Sequence, residues 1–300
     1  AQYMKSKRRE FIKISGLTGI GLAAVNPMEA LSRAFESKHS ILQTMVDEKN
    51  TSLIGLYGPW AASLIEGKLP SLSYRREEFK NLNEWKKLAR GRLVERLGIP
   101  DIGNPKVVVK NKLEYDGLSI EELSWQLPYG RPTEATVLKP KNAKGKLPGI
   151  LAFHDHGGNK YFGKQKITRT SDNGHPMIPE HQRDYYSGKA WANEIARRGY
   201  VVIVPDAFPF ESRRVWMADV PEAIRQGLSD VDHSKPENIN AYNQWAGQHE
   251  HTMAKSLFCG GTTWPAVFFA EDQKALDILC AREDVDANRV GCCGLSGGGM

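Results

Sequence analysis

Arg289-Val290-Gly291-Cys292-Cys293-Gly294-Leu295-Ser296-Gly297-Gly298-Gly299 is the stretch that decides the fold. A short apolar run stops abruptly at Gly294, turns through Ser296 and continues in glycine, which is the sequence form of a nucleophile elbow. Such a turn needs glycine on both sides, because side chains there would block both the tight bend and the close packing of the next helix. The serine then stands exposed at the tip, and Ser296 is the candidate nucleophile. Taken alone the Gly-x-Ser-x-Gly pattern is weak, since about one chain in ten of this length holds a chance match at ordinary glycine and serine frequencies. Its setting carries the reading: Asp284 to Gly291 supplies a helix exit, a turn and the start of a strand.

Working back along the chain, the same rhythm repeats. Arg289–Cys293, Tyr200–Val204 and Pro148–Phe153 read as short buried strands, with helical stretches at Ala190–Arg198 and Asp272–Ala281 between them. Strands alternating with helices imply a mostly parallel sheet covered on both faces. Residues 107–139 alternate apolar and polar in short runs, with turns at Asp116-Gly117 and Tyr129-Gly130, and read as antiparallel strands opening that sheet. Leu82, Trp85, Leu88, Ala89, Leu93 and Leu97 recur at helical spacing, stopped by Gly98 and Pro100. Residues 207–270 read as a polar and aromatic insertion, placed where a lid or substrate-binding loop would fall.

A second chemical signal, His154-Asp155-His156-Gly157-Gly158, stands at the carboxyl end of the strand closing at Phe153. Acyl transfer needs backbone N–H groups aimed at the developing oxyanion, and glycines let the main chain approach it. One donor is expected from Gly297, directly after the nucleophile; the other is expected from Gly158, or else Gly157. His154 and His156 read as site-lining residues that shape this loop through hydrogen bonds. Their spacing could ligate zinc, but no further ligand cluster of recognisable spacing accompanies them, so neither a metal nor a cofactor is expected.

The three strings LPGILAFHDHGG, RRGYVVIVPDAFPF and RVGCCGLSGGG, in this order, resemble the third, fourth and fifth sheet strands of α/β-hydrolases similar to dienelactone hydrolases and acetyl xylan esterases. The resemblance covers residues 80–300 and is more specific for the fold than for the substrate. It implies a serine carboxylic ester hydrolase acting through an acyl-enzyme on a small-molecule or carbohydrate ester, with Asp206 in a structural place. One departure stands out. In such hydrolases the acid and the histidine come after the nucleophile, whereas all eight histidines here precede Ser296 and the sequence given ends at Met300. The expectation is therefore an α/β-hydrolase domain cut after the elbow, inactive in this form, with the acid and histidine beyond residue 300. Recruitment of His154, His156 or His251 as base is the less favoured alternative.

Composition supports an export address and little else. The net charge is +6, of which residues 1–30 carry +3: five basic residues against two acidic ones. Clustered basic stripes with interleaved aromatics are lacking, so nucleic acid is not expected. Lys7-Arg8-Arg9-Glu10-Phe11-Ile12-Lys13 resembles the twin-arginine export motif, and the glycine-rich apolar run from Ile14 to Val25 is too short for a membrane anchor. The export machinery is thus an expected partner and the bacterial periplasm or exterior the expected location. The expected domains are a signal at 1–30, a helical extension at 31–105 and the hydrolase domain at 106–300. The cysteines Cys292 and Cys293 are expected to pack in the core. Trp216, Trp245 and Trp264 could stack on sugar rings, although packing within the insertion is the favoured reading. Two rivals remain: a serine peptidase of prolyl-oligopeptidase type, for which 75 residues of extension cannot make a propeller, and a non-catalytic hydrolase-like binding protein.

Overall fold

The computed structural model describes residues 52–64, 69–230 and 235–300; the signal expected at 1–30 lies outside the described residues. The chain divides into two compact units between Leu93 and Val94. In the first unit, α1 (Tyr57–Ser63) precedes α2 (Leu82–Leu97), which continues into the second. Asn81 caps α2, its side-chain oxygen accepting the N–H groups of Asn83 and Glu84 at 2.9 and 3.3 Å. The last turn of α2 belongs to the second unit because Thr263 Oγ1 donates to the Leu97 carbonyl at 3.0 Å. Gly98 ends the helix at φ +63°, where a Cβ would stand 2.4 Å from the Gly261 carbonyl oxygen.

The second unit is built on a six-stranded sheet of order β1-β2-β3-β5-β4-β6. β1 (Val107–Tyr115), β2 (Leu118–Trp125) and β3 (Thr133–Pro140) form the antiparallel opening expected from the alternation. Asp116 and Gly117, at φ +50° and +76°, make the two-residue turn that β1 and β2 require. β3 pairs antiparallel with β5 (Val201–Pro205), and β4 (Leu147–Phe153) lies parallel between β5 and β6 (Val285–Gly294). Pro148 lacks an N–H, and the β4–β6 register shifts there, so continuous pairing begins at Gly149↔Val290 and runs to Phe153↔Gly294.

β5 is buried on both faces, as an all-aliphatic strand between two layers should be. Val201 and Ile203 join Leu123, Val137, Leu151 and Leu279 on one side; Val202 and Val204 join Leu118, Ile120, Leu138 and Ala152 on the other. The first face is covered by α6 (Trp264–Cys280), the second by α4 (Trp191–Arg197), whose Ala192 and Ala196 are fully buried. Each large aliphatic side chain removed from water here contributes about 1.5–3 kcal/mol.

The structure adds detail that the sequence reading left open. The 207–270 insertion, after a run of 3-10 turns, holds α5 (Pro236–Cys259) and the start of α6. Proline at the first turn and the buried series Ile239, Tyr242, Trp245 and Ala246 make α5 an amphipathic helix with a small core of its own. A further helix, α3 (Met177–Tyr186), lies in the stretch between β4 and α4. Cys292 is exposed and Cys293 only partly covered, because β6 is the edge strand of the described sheet and only β4 pairs with it.

Candidate active site

β6 delivers Ser296 to the carboxyl end of the parallel strands. Leu295 is still extended, Ser296 turns to φ +57°, and a short 3-10 turn spans Ser296–Gly299. A serine in the left-handed region stores about 1 kcal/mol or more of backbone strain, held in place by its surroundings. Those surroundings are main chain. A Cβ on Gly294 would stand 2.2 Å from the Gly298 carbonyl oxygen, and one on Gly298 would stand 2.6 Å from that of Phe153. Ser296 is exposed, and its hydroxyl bonds to no other described residue. Among the predicted site residues, the structure brings His156 against this elbow: its Cβ and backbone nitrogen lie 3.1 Å from where a Gly297 Cβ would be.

The loop after β4 is held by buried polar groups. His154 is 3% exposed and spans two loops: Nε2 accepts the Ala207 N–H at 3.1 Å, so Nδ1 carries the proton given to the Asp155 carbonyl at 3.0 Å. Burial, aided by the Lys166 charge, pushes its pKa down to about 3, and the ring stays neutral. Both nitrogens are engaged, which suits the shaping role and not that of a base. Asp155 is fully buried, with Oδ1 accepting from His181 at 3.0 Å and from the Tyr186 hydroxyl. Burial alone would raise its pKa; the His181 bond, the Lys166 charge and Tyr186 outweigh it and hold the carboxylate well below its usual range. Lys166 has no exposed surface and donates to the carbonyls of Asp155 and His156 at 2.9 and 3.0 Å. Desolvation brings its pKa down to about 8, with the Asp155 charge opposing.

The His156 ring is bonded to residues other than the serine. Its Nδ1 accepts the Gly158 N–H at 3.1 Å, so Nε2 donates to Glu250 Oε1 at 2.7 Å on α5. Lys160 pairs with the same carboxylate. Burial raises the Glu250 pKa, but the bonds from His156 and Lys160 prevail and bring it down to about 2. Gly157 and Gly158 take φ +50° and +67°, and a Cβ on Gly157 would collide with the Asp155 carboxylate at 2.2 Å. The loop therefore needs its glycines, but the Gly158 N–H expected at an oxyanion is spent on His156 in this conformation. His251 is exposed on α5.

Asp206, at the end of β5, sits in a structural knot with Glu211 around one lysine. Lys164 Nζ donates to Asp206 at 2.9 Å and to Glu211 at 2.6 Å, and Ser212 Oγ donates to Asp206 at 2.6 Å. Burial and the Glu211 charge push Asp206 up, while Lys164 holds Glu211 down against its own burial. The tryptophans are mostly committed inward. Trp245 is buried and donates to the Ile224 carbonyl at 2.8 Å, and Trp264 donates to that of Phe208 at 3.3 Å. Trp216 lies under the guanidinium of Arg214.

Sequence reasoning missed Lys160, Lys166, His181, Tyr186 and Glu250. The signal for two of them was present: Ile178, His181, Gln182, Tyr185 and Tyr186 repeat at helical spacing. Lysines look the same in sequence whether buried or solvated. Among the described residues no cluster suits a metal, and no helix is long and apolar enough to cross a membrane.

The strand order, with its antiparallel opening, central parallel strands and serine elbow, defines an α/β-hydrolase fold. The "putative acetyl xylan esterase" of Bacteroides fragilis shares it, with a TM-score of 0.59 at 17% identity over 83% of this chain and 56% of that one. Acetyl xylan esterase 1 of a Thermoanaerobacterium species superposes more loosely, with a TM-score of 0.39 at 16% identity over 69% of this chain and 51% of that one. Among curated proteins the chain is similar to "Putative hydrolase YtaP" of Bacillus subtilis, 23% identical over 181 residues, which are 60% of this chain and 46% of that protein. No family profile matches the chain. The chain thus spans about half the length of these relatives.

Proposed function

We propose that the protein is a carboxylic ester hydrolase working through an acyl-enzyme on Ser296, that its esters are carried on carbohydrate, and that it acts outside the cytoplasm after twin-arginine export. The observation that carries the reading is the elbow: an exposed serine at φ +57°, at the end of a parallel strand, between glycines that main-chain contacts forbid to be anything larger. Ser296 Oγ attacks the ester carbonyl, the alcohol departs with a proton, and water then releases the acid and restores the hydroxyl. The Gly297 N–H and a donor from residues 156–158 hold the oxyanion, Gly158 serving only if it leaves His156 Nδ1. The serine proton needs a base other than His154 or His156, whose ring nitrogens are all engaged. The carbohydrate part draws on the name of the Bacteroides fragilis structure, and the export part on Lys7–Lys13 alone.

The test uses the natively produced protein, a fluorophosphonate and acetylated xylan. A single adduct mapped to Ser296, with acetate release lost in Ser296→Ala, is the expected result; a folded protein without an adduct, or acetate release that survives Ser296→Ala, overturns it. Replacing Arg8 and Arg9 by lysine should leave the protein in the cytoplasmic fraction, and unchanged export would remove the last part of the proposal.

A further inference from the structure

Three arginines line a cleft of about 190 Å³ that is also walled by Tyr129, Phe208 and Trp216. The loops that form it precede β3 and come after β5, so it opens at the same end of the sheet as Ser296. β5 and β6 flank β4, which puts two strand spacings, about 10 Å, between the strands that bear the cleft and the serine.

Two of the arginines have their charge matched in full. Arg131 forks Asp219 through Nε and Nη2 at 2.8 and 3.0 Å, and Arg213 forks Glu271 through the same atoms at 3.2 and 2.7 Å. Arg214 has no carboxylate partner among the described residues. Its Nη1 donates to the Glu211 carbonyl at 3.0 Å, while its Nε is buried without an acceptor, so it is the Nη edge that can face a ligand in the cleft. Yet the residue is only 8% exposed, with its guanidinium 3.4 Å over the Trp216 ring and 4.8 Å over that of Tyr161. Ring contacts of this kind return part of the hydration lost by a buried cation and not all of it. Asp230 also acts on Arg131 and on the Tyr161 and Tyr242 rings beside Arg214, so the cleft offers no general excess of charge but one guanidinium to which no carboxylate is bonded. A planar fork with no planar mate selects a carboxylate in particular.

We propose that this cleft is a subsite for a carboxylate borne on the substrate, such as that of a uronic acid unit near the ester, with Arg214 as the binding fork and the aromatic walls bounding the ring. The proposal rests on the ester-hydrolase reading only in placing the carboxylate and the ester on one molecule. It is tested by binding, without turnover.

Calorimetric titrations with sodium glucuronate, xylose and sodium phosphate separate the possibilities. Glucuronate should bind saturably and at least about tenfold more tightly than xylose, and Arg214→Met should weaken it by about tenfold to a hundredfold, the range for a hydrogen-bonded charge. Arg214→Lys should fall between, because a point charge replaces a fork, and should carry the test if Arg214→Met does not fold. Xylose binding should be unmoved by either variant. Ser296→Ala should bind glucuronate like the wild type, so this result stands however the acyl-enzyme test falls. Glucuronate no tighter than xylose, phosphate as tight as glucuronate, or full affinity in Arg214→Lys would each overturn the proposal.

Discussion

The elbow after β6 and the loop after β4 meet at the end of the same pair of strands, yet they are held by opposite means. Ser296 is exposed and is kept in its strained conformation by main-chain contacts around Gly294 and Gly298. The 154–158 loop is held from beneath by buried charges and imidazoles: Asp155, Lys166, His181 and His154. The first arrangement is steric and indifferent to charge, and it closes partly against the main chain of Phe153, His154 and His156. The second is assembled from residues far apart in sequence and depends on protonation. The nucleophile's turn thus rests on the backbone of the loop that the buried network holds.

That contrast can be broken most forcefully at Asp155. Its replacement by Asn leaves Lys166 buried beside a neutral group, and a stability loss of about 3–5 kcal/mol is expected in denaturant unfolding; a loss under 1 kcal/mol would mean that the network does not hold the loop. Gly298→Ala attacks the other side. Its Cβ would press on the Phe153 carbonyl oxygen, and a main-chain atom cannot swing aside, so about 1–3 kcal/mol should be lost. That loss should be the same at pH 5 and pH 8, because no titrating group is involved.

Acid sharpens the comparison. With its folded pKa near 3 against about 6.5 when unfolded, His154 binds a proton in the unfolded chain before it does in the folded one. Its contribution is fully present above pH 6.5 and is lost as pH falls toward 3, at a slope of about 1.4 kcal/mol per pH unit. Asp155 and Glu250, whose folded pKa values are lowered, add losses of the same sign only below their unfolded values, about 4. Asp206, whose folded pKa is raised to about 6, contributes a slope of the opposite sign in this window to both proteins, so the check is the difference. Relative to His154→Gln, wild type should lose stability as pH falls from 6.5 to 4.5, as measured by unfolding at fixed temperature. Equal slopes would show that His154 is already protonated in the folded protein. Glu250→Gln loosens the pair with His156 and leaves Lys160, 3% exposed, without its carboxylate; a loss of about 1–3 kcal/mol is expected, together with a rise in the exchange rate of the Gly158 amide as its acceptor loosens.

Much of the fold was legible because its signals are local. Aliphatic runs bounded by glycine and proline announced β4, β5 and β6, the Asp116-Gly117 pair announced the first hairpin, and Leu82 to Leu97 announced α2. Helix α5 escaped notice although Pro236, Ile239, Tyr242 and Ala246 carry its periodicity, because polar residues crowd the other positions.

By itself the sequence determined the class of sheet, the position of the serine and the glycines of the elbow, since those signals lie in residues within a turn of one another, even though Gly298 closes against Phe153. Only the tertiary structure decided that His154 is locked neutral between two loops, that Gly158 gives its N–H to His156, that Lys166 is buried beneath the site and that Arg214 is buried without a carboxylate. Those outcomes come from desolvation and, for His154, Lys166 and the His156 ring that Glu250 orients, from partners about ten to a hundred residues away, and neither can be read until the chain has folded back on itself.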